Sequence, residues 1–219
     1  MKAETKEAKT KAAVFRAAID EFIACGFYGA RMQRIADRAG VNKAMIHYYF
    51  RNKKTVYTEV LDNALEILII ELNSIGSEEL KIEKKLGQIV DVYIRIFSKY
   101  NNYVKLLLYE VIRGGAELRK LISAKSSRIP LNPANGAIYT YFKKEIKKGR
   151  LKKINVIQLF ISIVSQMAPL FFVKDMFKDM IKIPGMQKLV FNKLVKNRKK
   201  FVIDLILNGI KPAGNKQRR

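Results

Sequence analysis

The chain has 219 residues, enough for one or two domains with a sizeable core. Its 49% hydrophobic and 28% charged residues are ordinary for a globular protein. The charge balance is not: 43 Lys and Arg stand against 19 Asp and Glu, a formal net charge of +24, which favours a polyanionic partner such as nucleic acid, an anionic membrane or an acidic ligand.

The excess is uneven. Residues 1–60 hold 12 basic and 6 acidic groups, residues 61–150 hold 16 and 10, and residues 151–219 hold 15 and 3. Charge alone therefore points to the C-terminal third. Cys25 is the only cysteine, which excludes an intrachain disulfide and suits a reducing, cytoplasmic setting. The opening MKAETKEAKTKAAVFRAA lacks the apolar core of a secretory signal.

Apolar spacing is helical nearly throughout. Val14, Ala18 and Phe22 define a first helix over residues 9–25, stopped by Gly26. Met32, Ile35, Ala36 and Ala39 define a short second helix, broken at Gly40. Asn42 is placed to cap a third. A long helix opens near Lys54 on a stripe of Val60, Leu61, Ala64, Leu65, Leu68 and Leu72, and ends at Gly76-Ser77. Leu86, Ile89, Val90, Tyr93, Ile96 and Phe97 mark the next. Val104, Leu107, Leu108, Val111 and Ile112 mark another, closed by Gly114-Gly115.

A short helix around Leu118, Leu121 and Ile122 runs into the loop SAKSSRIPLNPANG. Ile138, Phe142 and Ile146 follow, capped by Gly149. The segment INVIQLFISIVSQMAPLFFV, residues 154–173, is long enough to span a bilayer. Its Asn155, Gln158, Ser162, Ser165, Gln166 and Pro169 favour instead a helix buried in a core or subunit interface, bent at Pro169. Pro184-Gly185 breaks the chain again. A last helix runs over residues 186–208, before Gly209 and Pro212, and the tail GNKQRR is expected to be disordered. The predicted class is all-α.

Ala36, Gly40 and Ile46 fall in the spacing A-x3-G-x5-I. Two short helices that cross steeply need a small residue at the contact, a glycine in the turn and an aliphatic lock on the second helix. That pattern is a helix-turn-helix. On a helix that starts after Asn42, Ile46, Tyr49 and Phe50 share one face and point to the core. Lys43, Ala44, Met45, His47 and Tyr48 point elsewhere, a set suited to the major groove. Lys43 can donate to guanine, Ala44 and Met45 can meet a thymine methyl, and His47 and Tyr48 can donate to phosphate. Residue types alone fit an ordinary solvated helix face equally well. A metal or catalytic role for His47 has no converging ligands to support it, and no cofactor is expected.

The run GFYGARMQRIADRAGVNKAMIHYYFRNK resembles the DNA-binding domain of the tetracycline-repressor (TetR/AcrR) family over residues 10–57. The closing FVIDLILNGIKP is similar to the family's last helix. The resemblance implies a homodimeric transcription regulator, most often a repressor, with a DNA-binding domain at residues 1–56 and an effector-binding and dimerisation domain at residues 57–219. It implies base reading by Lys43, Ala44 and Met45 after the Asn42 cap, and phosphate anchoring by His47, Tyr48 and Lys53. It places the last two long helices at the dimer interface and the C-terminal lysines on a solvated face. Where the family often opens its second helix with Thr or Ser, this chain has Ala30-Arg31. Arg31 is expected to supply the phosphate contact by charge, and the missing cap to cost roughly 1 kcal/mol.

A ligand cavity between helices is expected to draw on Tyr93, Phe97, Tyr100, Tyr103, Leu107, Tyr139, Phe142 and Phe160, with Arg113 facing Glu110 or an anionic effector. The same aromatic residues also suit plain core packing. The expected partners are double-stranded DNA carrying a palindromic operator, a small apolar or anionic effector, and a second copy of the chain, with no membrane. The alternative is a basic helical binder of anionic lipid surfaces that uses the C-terminal third. An enzyme is the least expected class, given the lack of clustered ligands or acid/base pairs.

Overall fold

The computed structural model describes residues 2–76, 78–174 and 186–212, with side chains from residue 7 onward. Its α-helices in chain order are α1 (Lys2–Gly29), α2 (Met32–Ala39), α3 (Lys43–Phe50), α4 (Lys53–Asn73), α5 (Ile82–Lys99), α6 (Asn101–Ile112), α7 (Ala116–Ala124), α8 (Ala137–Lys147), α9 (Val156–Phe172) and α10 (Met186–Ile210). A short 3-10 turn covers Ser126–Arg128, and there is no strand among the described residues. The all-α expectation holds. The break expected at Pro184-Gly185 and the tail GNKQRR lie outside the described residues.

The chain divides into two compact units. One comprises Met1–Leu68 and Tyr100–Lys125, the other Ile69–Lys99 and Ser126–Arg219. In the first unit, Val14, Ala18 and Phe22 of α1 are wholly buried, as are Ile35 and Ala36 of α2 and Ile46 of α3, with Phe50 nearly so. The Phe50 ring packs 5.8 Å from Phe15, and Phe22 meets Tyr57 edge-on at 4.8 Å. The i, i+4 spacing that predicted α1 thus describes its inward face. The helix bends where Gly26 leaves helical geometry at φ 66°, ψ 175°, and it resumes for one turn to Gly29.

Two stripes differ from expectation: Ile122 of α7 is exposed, and α6 departs further. On α6, Val104 and Leu107 are buried with Leu106, but Leu108, Val111 and Ile112 are exposed. The inward face carries Glu110 in their place. The Tyr57 hydroxyl donates to Glu110 Oε2 across 2.6 Å, and the Glu117 N–H approaches Oε1 at 3.3 Å. Burial and this carboxylate push the Tyr57 hydroxyl well above its ordinary titration range. A satisfied polar group can sit inside a helix bundle, and apolar periodicity cannot see it.

The second unit is built on α5, α8, α9 and α10. Leu86, Ile89, Val90, Tyr93, Ile96 and Phe97 of α5 are all buried, as predicted. Phe97 stacks on Phe171 of α9 at 5.5 Å, and Phe142 of α8 meets Phe160 of α9 edge-on at 5.7 Å. Lys85 is 1% exposed. Its Nζ donates to the Ile75 and Gly76 carbonyls in the turn just past α4, at 3.4 and 3.2 Å, which gives the buried ammonium polar partners. Pro169 lies in the last turn of α9, where its missing N–H removes a single ladder bond. No helix among the described residues is long and apolar enough to cross a membrane.

Candidate nucleic-acid interface

The α2–α3 corner is made by local chemistry. Gly40 takes the left-handed conformation, φ 66° and ψ 32°, and its N–H returns to Ala36 and Asp37. Asn42 then caps α3, its Oδ1 accepting the Ala44 N–H at 2.9 Å. Asn52 does the same for α4, accepting the Thr55 N–H at 2.9 Å. With Ile46 and Phe50 buried, Lys43, Ala44, Met45, His47 and Tyr48 are all exposed, Tyr48 at 82%. Tyr49, expected in the core, is half-buried between the Tyr48 ring at 5.2 Å and the Phe50 ring at 6.3 Å.

Arg31 is the exposed N-cap residue of α2, and its side chain makes no capping bond. The helix start is instead held from α1. Glu21, whose side chain has no exposed surface, accepts the Arg31 N–H at 3.0 Å and the Arg34 Nε at 2.6 Å on one oxygen. Arg38 stands 3.8 Å from the other oxygen. Burial pushes the Glu21 carboxyl up, but the Arg31 N–H, the Arg34 hydrogen bond and the two guanidinium charges outweigh it. The net effect holds the carboxyl below its ordinary value.

Lys53 is half-buried. Its Nζ donates to the Tyr28 and Ala30 carbonyls, each at 3.1 Å, and lies 5.0 Å over the Phe27 ring. An ammonium has three hydrogens, so one is left for a phosphate. Tyr28 is 80% exposed beneath the Arg113 guanidinium, which lies 4.7 Å from its ring. Glu21 and this Tyr28–Arg113 pair escape a reading of the sequence, because their partners lie many residues away and no spacing rule links them.

The residues expected around an effector divide between the two units. Tyr93, Phe97, Tyr139, Phe142 and Phe160 are in the second, all buried except the half-buried Tyr139. Tyr100, Tyr103, Leu107 and Arg113 are in the first, where only Leu107 is buried and Arg113 is exposed. The second unit also contains a charged cleft of about 610 Å³ lined by Glu79, Lys81, Glu83, Glu145, Arg150 and Lys211, among others. Its groups are largely paired with one another, Arg150 gripping Glu145 through two bonds of 2.6 Å.

Residues 14–60 match the model of the bacterial regulatory proteins of the tetR family. The chain is similar to the HTH-type transcriptional regulator RutR of Escherichia coli K12, 29% identical over 127 residues, or 54% of this chain and 59% of that one. It is also similar to the HTH-type transcriptional repressor SCO4008 of Streptomyces coelicolor, 34% identical over 110 residues, or 50% and 54%. The chain thus spans a little over half the length of these curated relatives. A TetR family transcription regulator from Marinobacter aquaeolei VT8 shares the fold along nearly the whole chain. Its TM-score is 0.68 at 13% identity, covering 96% of this chain and all of that one. The N-terminal segment of the chain, residues 14–60, thus carries the sequence signature of the tetR family of bacterial regulatory proteins.

Proposed function

We propose that the protein is a sequence-specific DNA-binding transcriptional regulator, a cytoplasmic repressor rather than an enzyme. The observation that carries this reading is the α3 face. The helix commits Ile46 and Phe50 to the core and presents Lys43, Ala44, Met45, His47 and Tyr48 together to solvent, on a capped helix-turn-helix. Lys43, Ala44 and Met45 near the start of α3 read base edges. Arg31, His47, Tyr48 and the free hydrogen of Lys53 engage phosphates.

The functional form is a homodimer. Ile157 and Ile161 of α9, and Leu189, Val190, Leu194, Phe201 and Leu205 of α10, are exposed apolar side chains on the two helices that the family resemblance assigns to subunit contact. A second copy would cover them. A small effector bound in the helical domain would alter the separation of the two α3 helices. Half-sites lie about 34–36 Å apart for one turn of DNA, so a small spreading prevents both from engaging. A coupling of about 1–3 kcal/mol changes affinity roughly 5- to 150-fold.

Selection from random duplex DNA tests the reading. Enrichment of a palindrome is expected. Purely salt-sensitive binding without enrichment would leave the basic charge acting alone and sink the proposal. On the enriched site, Arg31→Ala should weaken binding about equally across sequence variants and lower the salt slope by about one, as loss of a phosphate contact does. Unchanged affinity and slope would remove Arg31 from the interface.

A further inference from the structure

Arg51 caps the C-terminus of α3 with φ 60° and ψ −54°. It is the one non-glycine residue with positive φ among the described residues. The Asn52 N–H reaches back to the Phe50 carbonyl at 2.6 Å, closing a three-residue γ-turn. This sense of γ-turn is strained, and such strain concentrates at functional sites. His47 lies one helical turn earlier, its Nδ1 3.0 Å from the Arg51 carbonyl oxygen.

A carbonyl oxygen offers only lone pairs, so Nδ1 carries the hydrogen. In a neutral imidazole the other nitrogen, Nε2, is then a bare acceptor. Phosphate oxygens are acceptors too, and the pair would repel. One proton from solvent changes this. Nδ1–H keeps its bond to Arg51, and Nε2–H becomes a charged donor toward the DNA backbone.

We propose that His47 is a proton-dependent phosphate contact, gripping DNA only as the imidazolium, so that DNA binding takes up one proton at this residue. The inference rests on the DNA-binding reading above. The charged groups nearest to it along the chain and on the adjoining helices include Lys43 and Arg51 on its own helix and turn, Arg34, Asp37 and Arg38 on α2, Lys53, Lys54 and Glu59 on α4, and Lys11 on α1. The acids Glu7, Asp20 and Glu21 of α1 and Asp62, Glu66 and Glu71 of α4 form no ion pair with His47 among the described residues. Asp37 and Glu59 are engaged elsewhere: Asp37 accepts from Gln33 at 2.8 Å, and Glu59 pairs with Lys11 at 3.0 Å. The anion that favours the imidazolium is therefore the phosphate itself. His47 is the sole histidine of the chain, and histidine is the side chain that ordinarily changes charge between about pH 5 and 8.

A neutral His47 has a different use, since its Nε2 can accept from the amino group of adenine or cytosine. That contact is lost on acidification, so the sign of the pH dependence separates the two. The test measures affinity of the full-length protein for the duplex enriched from the random pool, at constant ionic strength, from about pH 6 to about pH 8. A fall of roughly tenfold as pH rises is expected, the scale that uptake of one proton permits. H47Q should bind at the weak, high-pH level throughout, and H47K should keep the tight level with a flat profile. A wild-type affinity that is flat or rises with pH overturns the proposal, as does an H47Q profile with the wild-type slope. Failure to bind any duplex at any pH overturns the DNA-binding reading and this inference with it.

Discussion

Gly26→Ala is expected to destabilise the first unit by about 3 kcal/mol. Two costs add at this position. The backbone at φ 66°, ψ 175° lies in a region essentially restricted to glycine, and a side chain held there costs of order 1–3 kcal/mol. A Cβ would also overlap the Tyr109 hydroxyl of α6 and stand 3.1 Å from its ring carbon. Overpacking of that kind costs about 1–3 kcal/mol. Urea titration of the variant measures the sum. The double variant with Tyr109→Phe separates the terms, because removal of the hydroxyl relieves the overlap and leaves the backbone strain. Partial recovery in the double variant is expected. Wild-type stability in the single variant would show that the bend at Gly26 is not constrained. Affinity for DNA should fall as well, since the turn after Gly26 supplies the Tyr28 and Ala30 carbonyls that hold Lys53 at the start of α4.

The helix-turn-helix was legible because its determinants are local. A small residue, a left-handed glycine and an Asn cap lie within seven residues, and each does in the structure what its chemistry dictates: Ala36 is buried, Gly40 turns and Asn42 caps. The core face of α5 was legible for the same reason, as it is apolar at every inward position but Lys85. The α6 face was not. Glu110 reads as surface until Tyr57, 53 residues earlier, is seen to donate to it. Lys85 likewise reads as a solvated cation until α5 carries it beneath the carbonyls that follow α4. Patterning registers apolar burial and misses polar burial satisfied from a distance. The same limit hid the device that holds the start of α2. Arg31 was correctly read as lacking a side-chain cap, but the compensating group lies ten residues upstream on another helix.

The net charge misleads in a related way. The C-terminal third has the largest basic excess, yet the side chains proposed to read bases are on α3, within a segment of half that net charge. On α10 the lysines lie among exposed apolar residues, and Lys199 is drawn to Asp91 at 2.6 Å. Long-range attraction to a polyanion depends on total charge, whereas sequence reading depends on a few side chains held in register. The first of these can belong to the whole chain, while the second needs no more than a few side chains on one helix, as proposed for α3.

Glu21 gives the second large effect. Glu21→Ala leaves the Arg31 N–H without its acceptor and frees Arg34, which spans from Glu21 to the Gly29 carbonyl at 2.9 Å. Loss of a buried, charged acceptor that serves two donors is expected to cost about 2–3 kcal/mol. It should also weaken DNA binding, because α2 sets the angle at which α3 is presented. Glu21→Gln isolates the charge: it keeps an acceptor oxygen and surrenders the attraction to Arg34 and Arg38. The folded carboxyl titrates below its ordinary value of 4.5. Its contribution is therefore fully present above that value and is lost as pH falls through the lower, folded value. The stability gap between wild type and Glu21→Gln should hold constant at neutral pH and close on acidification below about pH 4.5. A gap that persists unchanged in acid would mean that Glu21 acts through shape and hydrogen bonding alone. A gap that closes would make this carboxylate the electrostatic anchor of the reading head, holding α2 to α1 where the usual cap is absent.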